Sequence, residues 1–181
     1  MGKNNDRSGA TPGSGRNYNG RRLPKHFAAY LNDHLAASVT AVKLLSRLKK
    51  QHDGLSSARF AWKMRNEVQK DQHELKRIMR RLRVKQSRTR KATGWIAQKL
   101  TELKLKLDDP ANGGLGAFEL LEIVEIGIEG KRCLWRTLSA TSQKIPELRG
   151  FDYQQLIERA KQQHDQFEAV RLEVAMQAFS A

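Results

Sequence analysis

Residues 61–82, AWKMRNEVQKDQHELKRIMRRL, contain the pattern that decides the fold of this chain. Apolar residues recur there at alternating intervals of three and four, which is the spacing of one face of an α-helix. This spacing predicts an amphipathic helix from about Ser56 to about Val84 that packs through that face. The face consists of Ala61, Met64, Val68, Leu75, Ile78 and Leu82, with Asp71 on the same stripe.

Four further stretches show helical spacing, and no stretch predicts a strand. The first helix is expected from Lys25 to the stop at Asp53 and Gly54, about 26 residues by the spacing of its apolar positions. Two more are expected over about 87–107 and 115–140, and a fifth from Asp152, after the breaks at Pro146 and Gly150. Long helices with short connections predict an all-α, up-and-down bundle of five helices.

The N-terminal segment differs from the rest of the chain. Residues 1–22 are rich in Gly, Ser, Asn and Arg and nearly lack apolar side chains, so we expect a disordered basic tail before a single bundle domain over 23–181. No stretch approaches the roughly 18 apolar residues of a membrane span. The N-terminus lacks the apolar segment of a secretory signal, so we expect a cytoplasmic protein without a membrane partner.

The net charge of +15 is unevenly distributed. Residues 1–106 contain 26 of the 34 cationic and 7 of the 19 acidic side chains, whereas residues 107–181 are net acidic. The strongest concentration is the segment 76–91, KRIMRRLRVKQSRTRK, which we call the basic block. It contains no acid and nine cations: Lys76, Arg77, Arg80, Arg81, Arg83, Lys85, Arg88, Arg90 and Lys91.

The basic block predicts contact with an anionic macromolecule, either a nucleic acid or an acidic protein. No Phe, Tyr or Trp lies within the block, so the sequence does not predict stacking on unpaired bases or reading of base sequence. Two alternatives remain open. The block can be a solvated helix end favoured by the helix dipole, or it can pair with the acids of the predicted fourth helix.

A second candidate site is formed by acidic residues. The run YLNDHLAASVTAVKLL, Tyr30–Leu45, the Asp71-x-x-Glu74 pair and the helix lengths over 25–178 resemble the ferritin-like superfamily, including its bacterial stress-associated and rubrerythrin-type members. This resemblance implies a ferritin-like bundle and a carboxylate site for iron or manganese. Its ligands would be His34, Asp71, Glu74, Glu122 and Glu125. The alternative is that Asp71 pairs with a Lys or Arg of a neighbouring helix and that the other acids are solvated.

Classical catalysis has little support in the sequence, because the histidines are scattered and no serine lies in a nucleophile turn. We therefore expect a non-catalytic interaction protein, and a homodimer that buries amphipathic faces is a further possibility. The single cysteine, Cys133, is expected to be buried. Trp62, Trp95 and Trp135 are expected to anchor the core, and Gly127 and Gly130 to let a neighbouring backbone approach.

Overall fold

The computed structural model of the chain describes residues 23–51, 56–87 and 113–180. These residues are helical without a strand, and a 3₁₀ turn, Pro146–Leu148, precedes the last helix. The protein is therefore all-α, with four helices in the described part rather than five. They are α1 (Lys25–Gln51), α2 (Ser56–Arg81), α3 (Gly113–Thr141) and α4 (Tyr153–Phe179). The helix predicted over 87–107 lies outside the described residues apart from Ser87, and the predicted tail, 1–22, lies outside them entirely.

The helices form two antiparallel pairs. Arg65 of α2 donates a hydrogen bond to Ser46 of α1, and Gln72 donates to Ser38, so the chain reverses between α1 and α2. A Cβ placed on Gly114, at the start of α3, would lie 3.6 Å from the Cβ of Ala178, near the end of α4, so the second pair is also antiparallel.

The two pairs are stacked so that α2 and α3 run in the same direction. Their N-terminal halves share one core cluster with the second half of α1 and Phe167, whereas their C-terminal halves share a second cluster with the first half of α1 and Tyr153. Because α2 and α3 are parallel, the end of α2 and the start of α3 lie at opposite ends of the bundle.

The stripe predicted on α2 is confirmed. All six apolar residues on it are buried, and Asp71 is only 3% exposed. The helix ends three residues earlier than predicted, at Arg81, because Arg83 adopts a left-handed conformation with φ 55°. The Val84 N–H bonds to the Met79 carbonyl at 2.8 Å, and the Arg83 N–H bonds to the Arg80 carbonyl at 3.0 Å. These two bonds form a Schellman cap, in which an arginine occupies the usual glycine position.

The last helix, α4, begins at Tyr153, directly after the predicted start at Asp152. Asp152 accepts a hydrogen bond from the Gln155 N–H at 2.9 Å and so caps the helix. Gly150, with φ 78°, makes the turn that precedes this cap. The chain therefore leaves α3 through the 3₁₀ turn and reverses into α4 within about ten residues.

Several expected core positions differ from the structure. Trp135 is buried as expected, but Trp62 is 51% exposed and Cys133 is exposed, while Trp95 lies outside the described residues. In the described part of the chain, no neighbouring atom outside the local helix backbone lies within 4 Å of a Cβ placed on Gly127 or Gly130, so no described backbone closely approaches either glycine. The predicted burial of Trp62 and Cys133 rested on residue type and is wrong, because both residues are displaced from the buried stripes of their helices.

Candidate anion-binding surface

The exposed part of the basic block lies at the C-terminal end of α2. Arg77, Arg80 and Arg81 are exposed in its last turns, and Arg83 and Lys85 are exposed just beyond its end. We call these five residues the basic pole. Cations at a helix C-terminus interact favourably with the partial negative charge of the terminal carbonyls, so this end of α2 tolerates their concentration.

A buried asparagine fixes the chain that follows α2. Asn32 of α1 is 6% exposed, and its side-chain amide donates hydrogen bonds to the carbonyls of Ala28 and Lys85 at 2.9 and 3.2 Å. Its side-chain oxygen accepts the Ser87 N–H at 2.7 Å. The segment carrying Lys85 is therefore held against α1 by two bonds to Asn32, and Lys85 stays beside the end of α2. This role of Asn32 could not be predicted from the sequence, because Lys85 and Ser87 are more than 50 residues away in the chain.

An aromatic ring organises two arginines of the pole. The guanidinium carbons of Arg77 and Arg81 lie 4.7 and 5.4 Å from the centre of the Phe151 ring. Each contact contributes about 0.5–1 kcal/mol at an exposed site. Arg81 also donates a hydrogen bond to the carbonyl of Arg149 at 2.9 Å. The loop before α4 thus holds both guanidinium groups against one ring. A planar guanidinium group is suited to bidentate contacts with phosphate or carboxylate.

Arg149 adds a further cation next to the pole. Its side chain is exposed, and it donates to the carbonyls of Ser142 and Gln143 at 3.3 and 2.9 Å. These carbonyls follow the last turn of α3 and lack helical partners, so Arg149 caps that helix while extending the positive surface. No sequence pattern indicates Arg149 or Phe151, because both lie in a loop without periodic spacing.

The acids of α3 and α4 do not neutralise the pole through the ion pairs that the structure records for them. Arg171 of α4 pairs with Glu125 at 2.9 Å and with Glu122 at 3.6 Å. Glu129 pairs with Arg132 at 2.8 Å. Within the pole, Arg77 pairs with Glu74 at 2.9 Å, an exposed contact between neighbours on one helix that contributes little.

The remaining members of the basic block are distributed as follows. Lys76 is half-buried and donates to Gln72 at 2.9 Å, so it lies beside the pole rather than within it. Arg88, Arg90 and Lys91 lie outside the described residues. Five of the nine cations predicted to bind an anion therefore form one exposed surface.

The acid on the buried stripe of α2 belongs to an ion-pair network. Asp71 accepts hydrogen bonds from Lys131 of α3 at 2.5 Å, from Arg159 of α4, and from Gln163 at 3.2 Å. Burial lowers the pKa of the Lys131 ammonium, and the charge of Asp71 opposes this shift. The expectation that Asp71 pairs with a cation from a neighbouring helix is confirmed, because three donors from two helices surround this carboxylate.

The five residues of the metal alternative are not brought together. Glu74 pairs with Arg77 on the surface, and Glu122 and Glu125 lie against Arg171. His34 lies in α1, where burial lowers its pKa. In the ranges that the structure covers, no three His, Cys, Asp or Glu residues are arranged to hold a metal ion. Among the described residues, the predicted ligand set is therefore not assembled into one site, and the cations of Lys131 and Arg159 lie around Asp71.

Comparisons with known proteins add no assignment. No protein-family model, no curated protein and no solved structure matches the chain. Among the described helices, none combines the length and hydrophobicity that crossing a membrane requires.

Proposed function

We propose that this protein is a non-catalytic helical bundle that binds an anionic macromolecule through the basic pole. The observation that carries the proposal is the concentration of five exposed cations at one end of α2, while the paired glutamates of α3 are engaged by Arg171 and Arg132. Nucleic acid is the partner class that this surface fits best, because a phosphate backbone offers closely spaced negative charges to all five side chains.

The mechanism is neutralisation of charge. Each phosphate contacted by a Lys or Arg releases condensed counterions, so about five contacts give a slope near −4.5 for log K against log salt concentration on duplex DNA. The guanidinium groups of Arg77 and Arg81 are already held against the Phe151 ring, which reduces the entropy cost of ordering these side chains on binding.

Binding without reading of base sequence follows from the position of the pole. The pole lies at the C-terminal end of a helix, where the backbone presents carbonyls rather than N–H groups. The affinity must therefore come from contacts between side chains and phosphates. Such contacts position a protein on the nucleic acid but do not distinguish one base sequence from another.

The ferritin-like topology and the cytoplasmic location belong to the same proposal. Two antiparallel pairs with α2 and α3 parallel require one long connection, which is the connectivity of ferritin-like bundles. We propose this topology without a di-iron centre. A homodimer is also proposed, and light scattering of the purified protein tests it through the molar mass.

The test of function is the binding of the purified protein to fluorescent duplex DNA over a range of salt concentrations. We expect similar affinity for two duplexes of unrelated sequence and a steep, linear fall of log K with log salt. An acidic polypeptide of equal charge, used as a competitor, distinguishes a protein partner from a nucleic acid. Undetectable binding at low salt, or affinity insensitive to salt, would refute the proposal.

A further inference from the structure

A small cavity opens between α1, α2 and α3, away from the basic pole. Its volume is about 50 Å³. Ala37 and Ala41 of α1, Val68 of α2, and Val124 and Gly127 of α3 form much of its wall. The space beside Gly127 is empty to 4 Å, so the missing side chain of this glycine helps to create the cavity. The wall is mainly apolar and would accept a small hydrocarbon group.

Two buried hydrogen-bond donors of α3 also line the cavity. Trp135 is 1% exposed, and its indole N–H has no hydrogen-bond partner. Lys131 lies one helical turn earlier and bonds to Asp71 and Gln163, whereas an ammonium group has three N–H donors. Buried donors are normally satisfied, so an unpaired indole N–H beside a cavity indicates a missing acceptor.

The charges next to the cavity favour an anion as that acceptor. The hydrogen-bonded network contains one carboxylate, Asp71, and two cationic side chains, Lys131 and Arg159, so it has one excess positive charge when Lys131 is protonated. Glu67, which also acts on Lys131, is itself paired with Lys70. His34 also lines the cavity. Burial lowers the pKa of its imidazole, so this side chain adds no further positive charge at neutral pH. An anion beside Lys131 would offset the excess charge and favour the protonated ammonium.

We propose that this cavity binds a short-chain monocarboxylate. The carboxylate accepts hydrogen bonds from the Trp135 indole N–H and from the third N–H of Lys131, and the short hydrocarbon chain packs against Ala37, Ala41 and Val124. A cavity of about 50 Å³ is much smaller than the roughly 150 Å³ that accommodates benzene, so only a few carbon atoms fit. This site is separate from the basic pole and does not depend on the function proposed for it.

The test uses propionate as the probe and follows the indole N–H resonances of the full chain by NMR. Substitution of Trp135→Phe assigns the Trp135 resonance. We expect that resonance to shift saturably, with a Kd on the order of 1–10 mM, as suits a ligand of five heavy atoms. The exposed Trp62 indole is the internal control and should not shift with it. Propylammonium has a similar size and opposite charge and should produce no saturable shift.

Two glycines of α3 provide matched variants. Gly127→Leu fills the cavity and should abolish binding, whereas Gly130→Leu places the same side chain on the same helix away from the cavity and should leave Kd unchanged. Trp135→Phe, followed through the backbone amide of Gly127, should weaken binding roughly tenfold through loss of one hydrogen bond to a charged group. If Gly127→Leu does not fold, the Trp135→Phe comparison decides. Absence of a saturable shift, equal binding of propylammonium, or unchanged affinity in Trp135→Phe would overturn the proposal.

Discussion

Replacing Asp71 with asparagine tests whether the buried ion-pair network determines the stability of the bundle. Asparagine keeps the shape of the side chain and can still accept a hydrogen bond, but it carries no charge. In the wild type the carboxylate is 3% exposed and bonds to Lys131, Arg159 and Gln163. The substitution leaves the Lys131 and Arg159 cations together in the interior without an anion.

The expected cost follows from the exposure of these partners. Removing one member of a buried ion pair typically costs about 3–5 kcal/mol. The Arg159 side chain is 26% exposed and can turn towards water, while that of Lys131 is only 13% exposed, so we expect the lower end, about 3 kcal/mol. For a protein of this size that loss lowers Tm by roughly 6–12 °C.

Urea denaturation followed by far-UV circular dichroism measures this cost directly. Asp165→Asn is the matched control, because Asp165 is exposed and forms only long pairs, at 3.8 Å, with Lys161 and with the ring of His164. Its loss should change stability by less than about 0.5 kcal/mol. Adding Lys131→Met to Asp71→Asn should restore part of the stability, because it removes the unpaired buried ammonium. A cost for Asp71→Asn below about 1 kcal/mol would refute the account of the network.

Three smaller changes test local features of the bundle. Arg83→Gly should raise the free energy of unfolding by about 1 kcal/mol, because glycine adopts the left-handed cap without strain, and should weaken DNA binding by removing one cation of the pole. Gly130→Ala should stabilise α3 by roughly 0.5–1 kcal/mol in urea denaturation, since the position is open and inside a helix; a destabilised variant would contradict this packing. The pKa of Glu125 is raised above 4.5 by burial and by its hydrogen bond with Glu168, whose own pKa is lowered by Arg171. The folded state therefore binds the Glu125 proton more tightly, and this contribution to stability is lost as pH rises from 4.5 through the raised pKa. Glu125→Gln should reduce this loss of stability with rising pH, as measured by Tm over a series of pH values. An unchanged dependence of Tm on pH would contradict the assignment to Glu125.

The core of this bundle could be predicted from the sequence because periodicity fixes which helix faces are buried. The stripe from Ala61 to Leu82 is inside at all seven positions, and Asp71 could be expected to have a cationic partner because a charge fell on that stripe. The identity of that partner could not be predicted. Lys131 lies 60 residues away on α3, which packs against α1 and α4 rather than against α2, so only the assembled bundle brings its side chain to Asp71.

The candidate anion-binding surface could be predicted only in part, because tertiary contacts between distant residues shape it. A cluster of cations is visible in the chain, but its shape depends on loop contacts that have no period. Phe151 lies under two arginines, and Asn32 fixes the segment after α2, through contacts that arise from tertiary structure. The cap at Arg83 was missed because a left-handed arginine leaves no signal in the sequence.

The most direct test of the central claim compares the salt dependence of DNA binding in two double variants. Arg80→Gln with Lys85→Gln removes two exposed cations of the pole, and Lys43→Gln with Arg59→Gln removes two exposed cations near the opposite end of the α1–α2 pair. If the pole binds phosphates, the first variant should reduce the magnitude of the log K against log salt slope by about 2, and the second should leave it near the wild-type value. Equal slopes in the two variants would contradict the assignment of binding to the basic pole.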